Sequence, residues 1–439
     1  MPVYFCRDTE IFKRIATKDF ESFEDHKFVI EPDWDTLMGN NLFMFQGQHW
    51  REMRAILSPA FTGNKMKLMF GLIREVAADS IDYLLKEAHI KGPQTFEMRD
   101  FFTRYANDVI ASCAFGLKIN SFADRDNKFY RTGRKLDDLG TPKSYLRLLL
   151  KRIMPRLTKA IGFEFLEADF REFFSNVILE NMRDRKAMGI HRPDMIDLLM
   201  RARDRANTLN SSSELANGKE IRSWSDAELV GQCFVFFLAG FDTVTWVLTH
   251  AAFSLATNPT VQVKLCDEID HFNRLVKDRE VTCDDLKQMK YLDAIVSEVL
   301  RLGPATSYID RMCTKDYYIE ELGTTIEKGA NIWFPLYNFQ RDAKVFEDPT
   351  RFEPERFTEA NRKNINHDYY MPFGIGPRAC IGNRFALMEV KAVLYFLLSH
   401  FTFEVTPKTK IPLRTRSSPF GMKAANDTFL ELRPRSMSL

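Results

Sequence analysis

The chain has 439 residues, 45% of them hydrophobic and 13% aromatic, with 38 phenylalanines and a formal net charge of +2. Such a chain supports a large buried core, and its overall charge gives no basis for a nucleic-acid partner. Seven cysteines (Cys6, Cys113, Cys233, Cys266, Cys283, Cys313, Cys380) are scattered and odd in number with no CxxC, which excludes a disulfide framework or zinc ribbon and suits a reducing compartment.

In chain order, residues 8–19 read as a short helix, with Asp8 as cap and Ile11, Phe12, Ile15 and Ala16 on one face. A loop rich in Phe, Asp and Pro runs to Asn41. The stretch from Leu42 to Arg54 leads into a helix that breaks at Ser58-Pro59. Trp50 and Arg54 are four apart and share a face. Their indole N–H and guanidinium both suit a carboxylate, although an anchor tryptophan beside a surface arginine would look the same. Residues 64–116 carry apolar positions three and four apart and read as helical core.

Residues 143–166 interleave Lys143, Arg147, Lys151, Arg152, Arg156 and Lys159 with leucines and isoleucines, and Pro155 breaks the run. This pattern reads either as a segment lying on a membrane surface or as a core helix whose basic side chains reach out to water. Residues 206–224, with Asn-Ser-Ser-Ser-Glu and Asn-Gly, read as an exposed loop. Ser225 or Asp226 then caps a long buried helix that contains Ala239-Gly240-Phe241-Asp242-Thr243. Small residues there open space for a flat ligand. An acid followed by a hydroxyl beside that space can hold water and hand on protons.

A helix over 288–302 carries Glu298 and Arg301 on one face, and Pro304 ends it. Residues 316–336 and 400–434 alternate and turn like β-hairpins. Between them lies Phe373-Gly-Ile-Gly376-Pro-Arg378-Ala-Cys380-Ile-Gly382, a glycine-containing loop that presents one cysteine at the start of an apolar-periodic helix. The helix N-terminus and Arg378 give positive potential that favours a thiolate, and Phe373 can shield the sulfur from water. The site suits a sulfur that stays on a metal.

This loop resembles the Phe-x-x-Gly-x-Arg-x-Cys-x-Gly haem signature of cytochromes P450 at every fixed position. Ala239 to Thr243 resembles that family's oxygen-activating helix, and Glu298-x-x-Arg301 its buried Glu-x-x-Arg pair, with Arg356 as the matching third member. The resemblance implies a mainly α fold with small β-sheets and one catalytic domain over 1–439. Haem b would lie between the long helix and the Cys380 helix. It implies that Cys380 ligates the iron, that Phe373, Ala239 and Gly240 flank the haem, and that Trp50, Arg54, Arg311 and Arg378 bind its propionates. Asp242 and Thr243 would deliver protons. Phe234, Phe237, Leu238, Ala305, Thr306 and Ser307 would face a lipophilic substrate: a xenobiotic, insecticide, plant toxin, or endogenous lipid or hormone.

The implied activity is monooxygenation with O2. Electrons would come from NADPH through the cytochrome P450 reductase of the endoplasmic reticulum, with cytochrome b5 as a second partner and 143–166 on the membrane. The match is nearest to insect microsomal members. Two rivals are a reductase-independent haem-thiolate isomerase or dehydratase, which commonly lacks the Asp-Thr pair, and an inactive lipophile-binding protein. Family members begin with an anchor, a hinge, a first helix and strands ahead of the point where this sequence starts. A truncated main sheet with an exposed edge is therefore expected. Gly303 stands where the family often has an aromatic residue, which predicts a looser helix end.

Overall fold

Apolar residues spaced three and four apart build most of the chain into helices, and the strands are short. The computed structural model describes residues 3–160, 163–192, 194–211, 224–277, 279–418, 421–425 and 427–435. It comprises two compact units. One is Met1–Lys27 with Ile73–Ala106 and Phe241–Leu439; the other is Phe28–Leu72 with Asn107–Gly240. The long helix, Asp226–Thr257, contains one of the boundaries between them.

All ten described strands lie in the first unit. They are β1 (Val3–Phe5), β2 (Gln94–Glu97), β3 (Ile309–Met312), β4 (Tyr317–Ile319), β5 (Thr324–Ile326), β6 (Asn331–Phe334), β7 (Phe401–Val405), β8 (Thr415–Ser418), β9 (Gly421–Ala424) and β10 (Phe429–Pro434). One sheet has the order β1-β6-β3 and another the order β2-β10-β7, while β4-β5 and β8-β9 are two-stranded. In the first sheet β1 runs parallel to β6, with Val3 opposite Asn331, and β3 runs antiparallel to β6, with Arg311 opposite Ile332. β1 is an edge strand with Val3 and Phe5 exposed. β2 interrupts the helical run read over 64–116; its Gln94 to Glu97 register is fixed by β10, which lies over 330 residues away and leaves no local signal.

The helix Thr9–Ala16 begins where expected because the Asp8 carboxylate accepts the Glu10 and Ile11 N–H groups at 2.8 and 3.0 Å. Its apolar face packs onto the first sheet: Phe12 meets Phe334 with ring centroids 4.1 Å apart, beside Ile15, Ile319, Ile326 and Ile332. This cluster anchors the strand that carries Arg311.

The end of helix Lys290–Leu302 is not loosened by Gly303. The Trp246 indole N–H donates to the Gly303 carbonyl at 2.9 Å, and a Cβ on Gly303 would lie 2.1 Å from His250 Nδ1. The long helix supplies the rings that fill this space, so the glycine makes room for them.

The second unit is helical, with Gly47–Leu57, Lys128–Arg134, Pro142–Ile153, Pro155–Ala160, Ala168–Met188 and Met195–Ser211 wholly inside it. Its core is a phenylalanine cluster in which Phe174 contacts Phe115, Phe129, Phe170, Phe234 and Phe237. Arg185 and Asp194 form a buried two-pronged pair at 2.6 Å. The loop expected over 206–224 starts later than predicted, because the helix Met195–Ser211 continues through its first residues; 212–223 lie outside the described residues. The run over 143–166 does break at Pro155, and Tyr145, Leu146, Leu149, Ile153, Met154 and Leu157 are all exposed. The long helix has the length and composition of a membrane span, but most of that stretch is buried in the protein.

His250 is buried in the first unit, and burial, with Arg341 and Arg301 adding to it, pushes its pKa down to about 3 from 6.5. Between those values the unfolded chain binds the extra proton. Stability is therefore present above pH 6.5 and is lost as the pH falls, by up to about 1.4 kcal/mol per pH unit from this residue. His250→Asn is expected to lose less stability per pH unit than the wild type across that window, as read from urea midpoints; equal slopes would contradict it.

Candidate functional site

The loop before helix Asn383–His400 is shaped by glycine. Gly374 and Gly376 have φ of 71° and 75°, and a Cβ on Gly376 would lie 1.9 Å from the Ala16 carbonyl oxygen. Only glycine permits both that backbone conformation and that approach. The loop then closes on itself: Ala379 N–H donates to Gly376 O at 3.0 Å, and Cys380 N–H to Phe373 O at 2.9 Å. Cys380 is left exposed two residues before the N-cap, Gly382, where the helix end carries partial positive charge. Five of the other cysteines are buried and Cys6 is half-buried. Burial raises the thiol pKa of Cys233, Cys266 and Cys313, so those sulfurs are neutral core groups.

Arg378 and Arg311 have buried side chains in the same unit. Arg378 donates from Nε to the Glu24 carbonyl at 2.7 Å and lies 3.3 Å from Asp25. Burial pushes its pKa down to about 9, against the pull of Asp25. Arg311, on β3, is 2% exposed and is pushed down by burial to about 10; its Nε has no hydrogen-bond partner. The preceding Asp310 is held by His26 Nδ1 at 2.8 Å and by the Lys27 N–H at 2.8 Å. Burial lowers the His26 pKa, leaving the imidazole neutral. Thus Glu24 to Lys27 brace both arginines. Sequence reading missed this segment: its partners are some 285 to 355 residues away, and only its run of charges after Phe23 marks it.

Glu298 and Arg301 are fully buried. Arg301 donates Nε and Nη2 to the Glu298 carboxylate at 2.7 and 2.8 Å. Its remaining N–H groups reach the carbonyls of Gln340, Pro349 and Arg351. Glu298 also accepts the Glu353 N–H at 2.9 Å, and Arg356 Nε lies 3.6 Å from it. Burial raises the Glu298 pKa, while Arg301 counters it. Gln340 was not singled out by sequence. It is fully buried, donates to the Leu300 and Arg301 carbonyls, and accepts the Met371 N–H just ahead of the Cys380 loop.

Ser225 and Glu228 cap the long helix reciprocally: Glu228 accepts the Ser225 N–H at 3.0 Å, and Ser225 Oγ accepts the Glu228 N–H at 3.2 Å. Of its two small residues, only Ala239 is exposed. Gly240 faces Ile110, whose Cδ1 lies 2.6 Å from where a Cβ would stand, so it serves helix packing and does not open ligand space. Asp242 and Thr243 are half-buried, and Asp242 Oδ2 lies 2.5 Å from Lys423 Nζ. The residues expected to face substrate separate into two groups. Phe234 and Phe237 are wholly buried in the phenylalanine cluster and are core, because apolar spacing does not reveal which face of a buried helix meets protein. Leu238, Ala305, Thr306 and Ser307 are half-buried. In the other unit, Trp50 is buried and Arg54 half-buried on helix Gly47–Leu57, where the Arg54 carbonyl accepts from Ser58 Oγ at 2.7 Å.

This donor set fits a haem. An exposed thiol at a helix N-terminus provides a soft anionic ligand. Two buried guanidiniums, each held below its ordinary pKa by burial, would be relieved by carboxylates such as propionates. A single thiolate suits a cofactor that brings its own remaining metal ligands.

Comparison with known proteins agrees. The Cytochrome P450 family model matches residues 1–430. Cytochrome P450 9e2 of Blattella germanica is 40% identical over 452 residues, covering 99% of this chain and 84% of that protein. Probable cytochrome P450 9f2 of Drosophila melanogaster is 39% identical over 444 residues, covering 99% and 85%. Cytochrome P450 6j1 of Blattella germanica is 31% identical over 435 residues, covering 98% and 82%.

Removing one member of the buried pair leaves the other uncompensated. Glu298→Ala is expected to cost about 3–5 kcal/mol in urea unfolding followed by circular dichroism. A loss under about 1 kcal/mol, the range of a surface pair, would contradict the role given to Glu298.

Proposed function

Since this chain belongs to the cytochrome P450 family and is a haem-thiolate monooxygenase using haem b and O2, we propose that it oxygenates lipophilic small molecules with electrons from an NADPH-dependent reductase. The observation that carries this reading is Cys380: it is the one exposed thiol of seven, set at a helix N-terminus two residues after the buried Arg378.

When bound, the haem supplies an iron at which O2 is reduced and its O–O bond split, a step favoured by electron donation from a thiolate. Cys380 would be that thiolate, and its N–H donates to the Phe373 carbonyl, which fixes the loop around it. Arg311 and Arg378 would neutralise the propionates. The Glu24–Lys27 segment holds the two buried arginines in place. Ala239 leaves the long helix open toward the cofactor. Asp242 takes protons from water, and the Thr243 hydroxyl passes them on. For each turnover one oxygen atom enters the substrate and the other leaves as water, consuming two electrons from NADPH and two protons. Ala305, Thr306 and Ser307, small and half-buried, contact the substrate. Xenobiotics such as insecticides and plant toxins fit this chemistry, as do endogenous lipids or hormones.

The reductase, with cytochrome b5 as a second donor, docks near the Cys380 loop. The exposed apolar residues of Pro142–Ile153 and Pro155–Ala160 rest on the cytoplasmic face of the endoplasmic reticulum membrane.

Reconstitution with NADPH and P450 reductase tests this reading. The wild type is expected to form oxygenated product from a lipophilic panel only when both are present. Thr243→Ala is expected to keep consuming NADPH while product falls on the order of 100-fold and hydrogen peroxide rises. Rearrangement or dehydration of a lipid peroxide without reductase, with no oxygenated product when NADPH and reductase are supplied, would overturn the reading in favour of an isomerase or dehydratase.

A further inference from the structure

Lys423 lies on β9, where its side chain is only 7% exposed, and its ammonium is 2.5 Å from Asp242 Oδ2. A lysine taken out of water at a strand position needs a charge partner. Here that partner is the acid one residue before Thr243. The same short strand grips another part of the site. Met422 N–H donates to the Ala305 carbonyl at 2.9 Å, and a Cβ on Gly421 would lie 2.2 Å from that oxygen. Three consecutive residues of β9 therefore tie Ala305 to the carboxylate of Asp242.

We propose that Lys423 is a positioning residue for proton delivery. It holds the Asp242 carboxylate in one orientation and couples that orientation, through the β8–β9 hairpin, to the segment that contacts substrate. The inference rests on the reading of Asp242 and Thr243 given above. In each transfer Asp242 would take one proton from a solvent hydronium, leaving water, and give one to the Thr243 oxygen as the Thr243 hydroxyl released its own proton. Asp242 returns to the carboxylate at the end of each transfer.

The test uses Lys423→Met, Lys423→Arg, Asp242→Asn and the Lys423→Met/Asp242→Asn double variant. Melting temperatures read the pair without any turnover. Each single substitution is expected to lower the melting temperature, and the double is expected to lower it no further than the worse single. Additive losses would overturn the pairing.

In the holoenzyme with reductase, Lys423→Met is expected to lower product per NADPH by about tenfold, with hydrogen peroxide rising and the solvent deuterium isotope effect on turnover changing. Lys423→Arg is expected to restore most of the product. A coupled melting cycle combined with a wild-type product-to-peroxide ratio and isotope effect in Lys423→Met would overturn the positioning role and leave Lys423 a structural cation. Reductase-independent product from the wild type is a different failure: it would remove the monooxygenase reading, and this inference with it.

Discussion

The buried Glu298–Arg301 pair is the constraint on which the catalytic part of the molecule depends. Two ionised groups with no exposure are tolerated because each is fully occupied. Arg301 spends its hydrogen bonds on Glu298 and on the carbonyls of Gln340, Pro349 and Arg351, and Glu298 takes the Glu353 N–H. A pair of this kind adds little net stability over an apolar replacement. What it supplies is geometry. A stretch with few regular elements is bound to one helix, and Gln340, buried against that helix end, reaches forward to Met371 at the entry to the Cys380 loop.

The cysteine loop depends on a second close approach, that of Gly376 to the carbonyl of Ala16. Helix Thr9–Ala16 is itself seated on the sheet that contains β3 and Arg311. Loop, helix and strand therefore form one packed assembly, and the Glu24–Lys27 segment stitches Arg378 and Asp310 into it. The exposed thiol and the two buried guanidiniums are held on a rigid support, which an anionic, metal-containing cofactor requires of its site.

The parts of the site legible in the sequence are those whose chemistry is local. The glycine spacing around Cys380, the three-residue step from Glu298 to Arg301, the Asp8 cap and the choice of Ser225 or Asp226 as cap of the long helix all act within one or two turns. What could not be read comes from contacts between residues far apart. Asp25 and His26 find their partners across the sheet, and Lys423 meets Asp242 from a hairpin 181 residues further on in the numbering. Gly303 looked like a weak helix end until Trp246 and His250 were seen to fill its space. Phe234 and Phe237 carry the right apolarity for a substrate pocket, yet their side of the helix meets other phenylalanines. Small residues were equally ambiguous: Ala239 is exposed, while its neighbour Gly240 serves packing against Ile110.

The central claim is that Cys380 is the thiolate of a haem site, and the reduced, carbon-monoxide-bound absorption spectrum of the haem-loaded 439-residue chain tests it most directly. A red-shifted Soret band that disappears in Cys380→Ser is the predicted result. A red-shifted band that survives the substitution would contradict the account, because the ligand would then be a different residue.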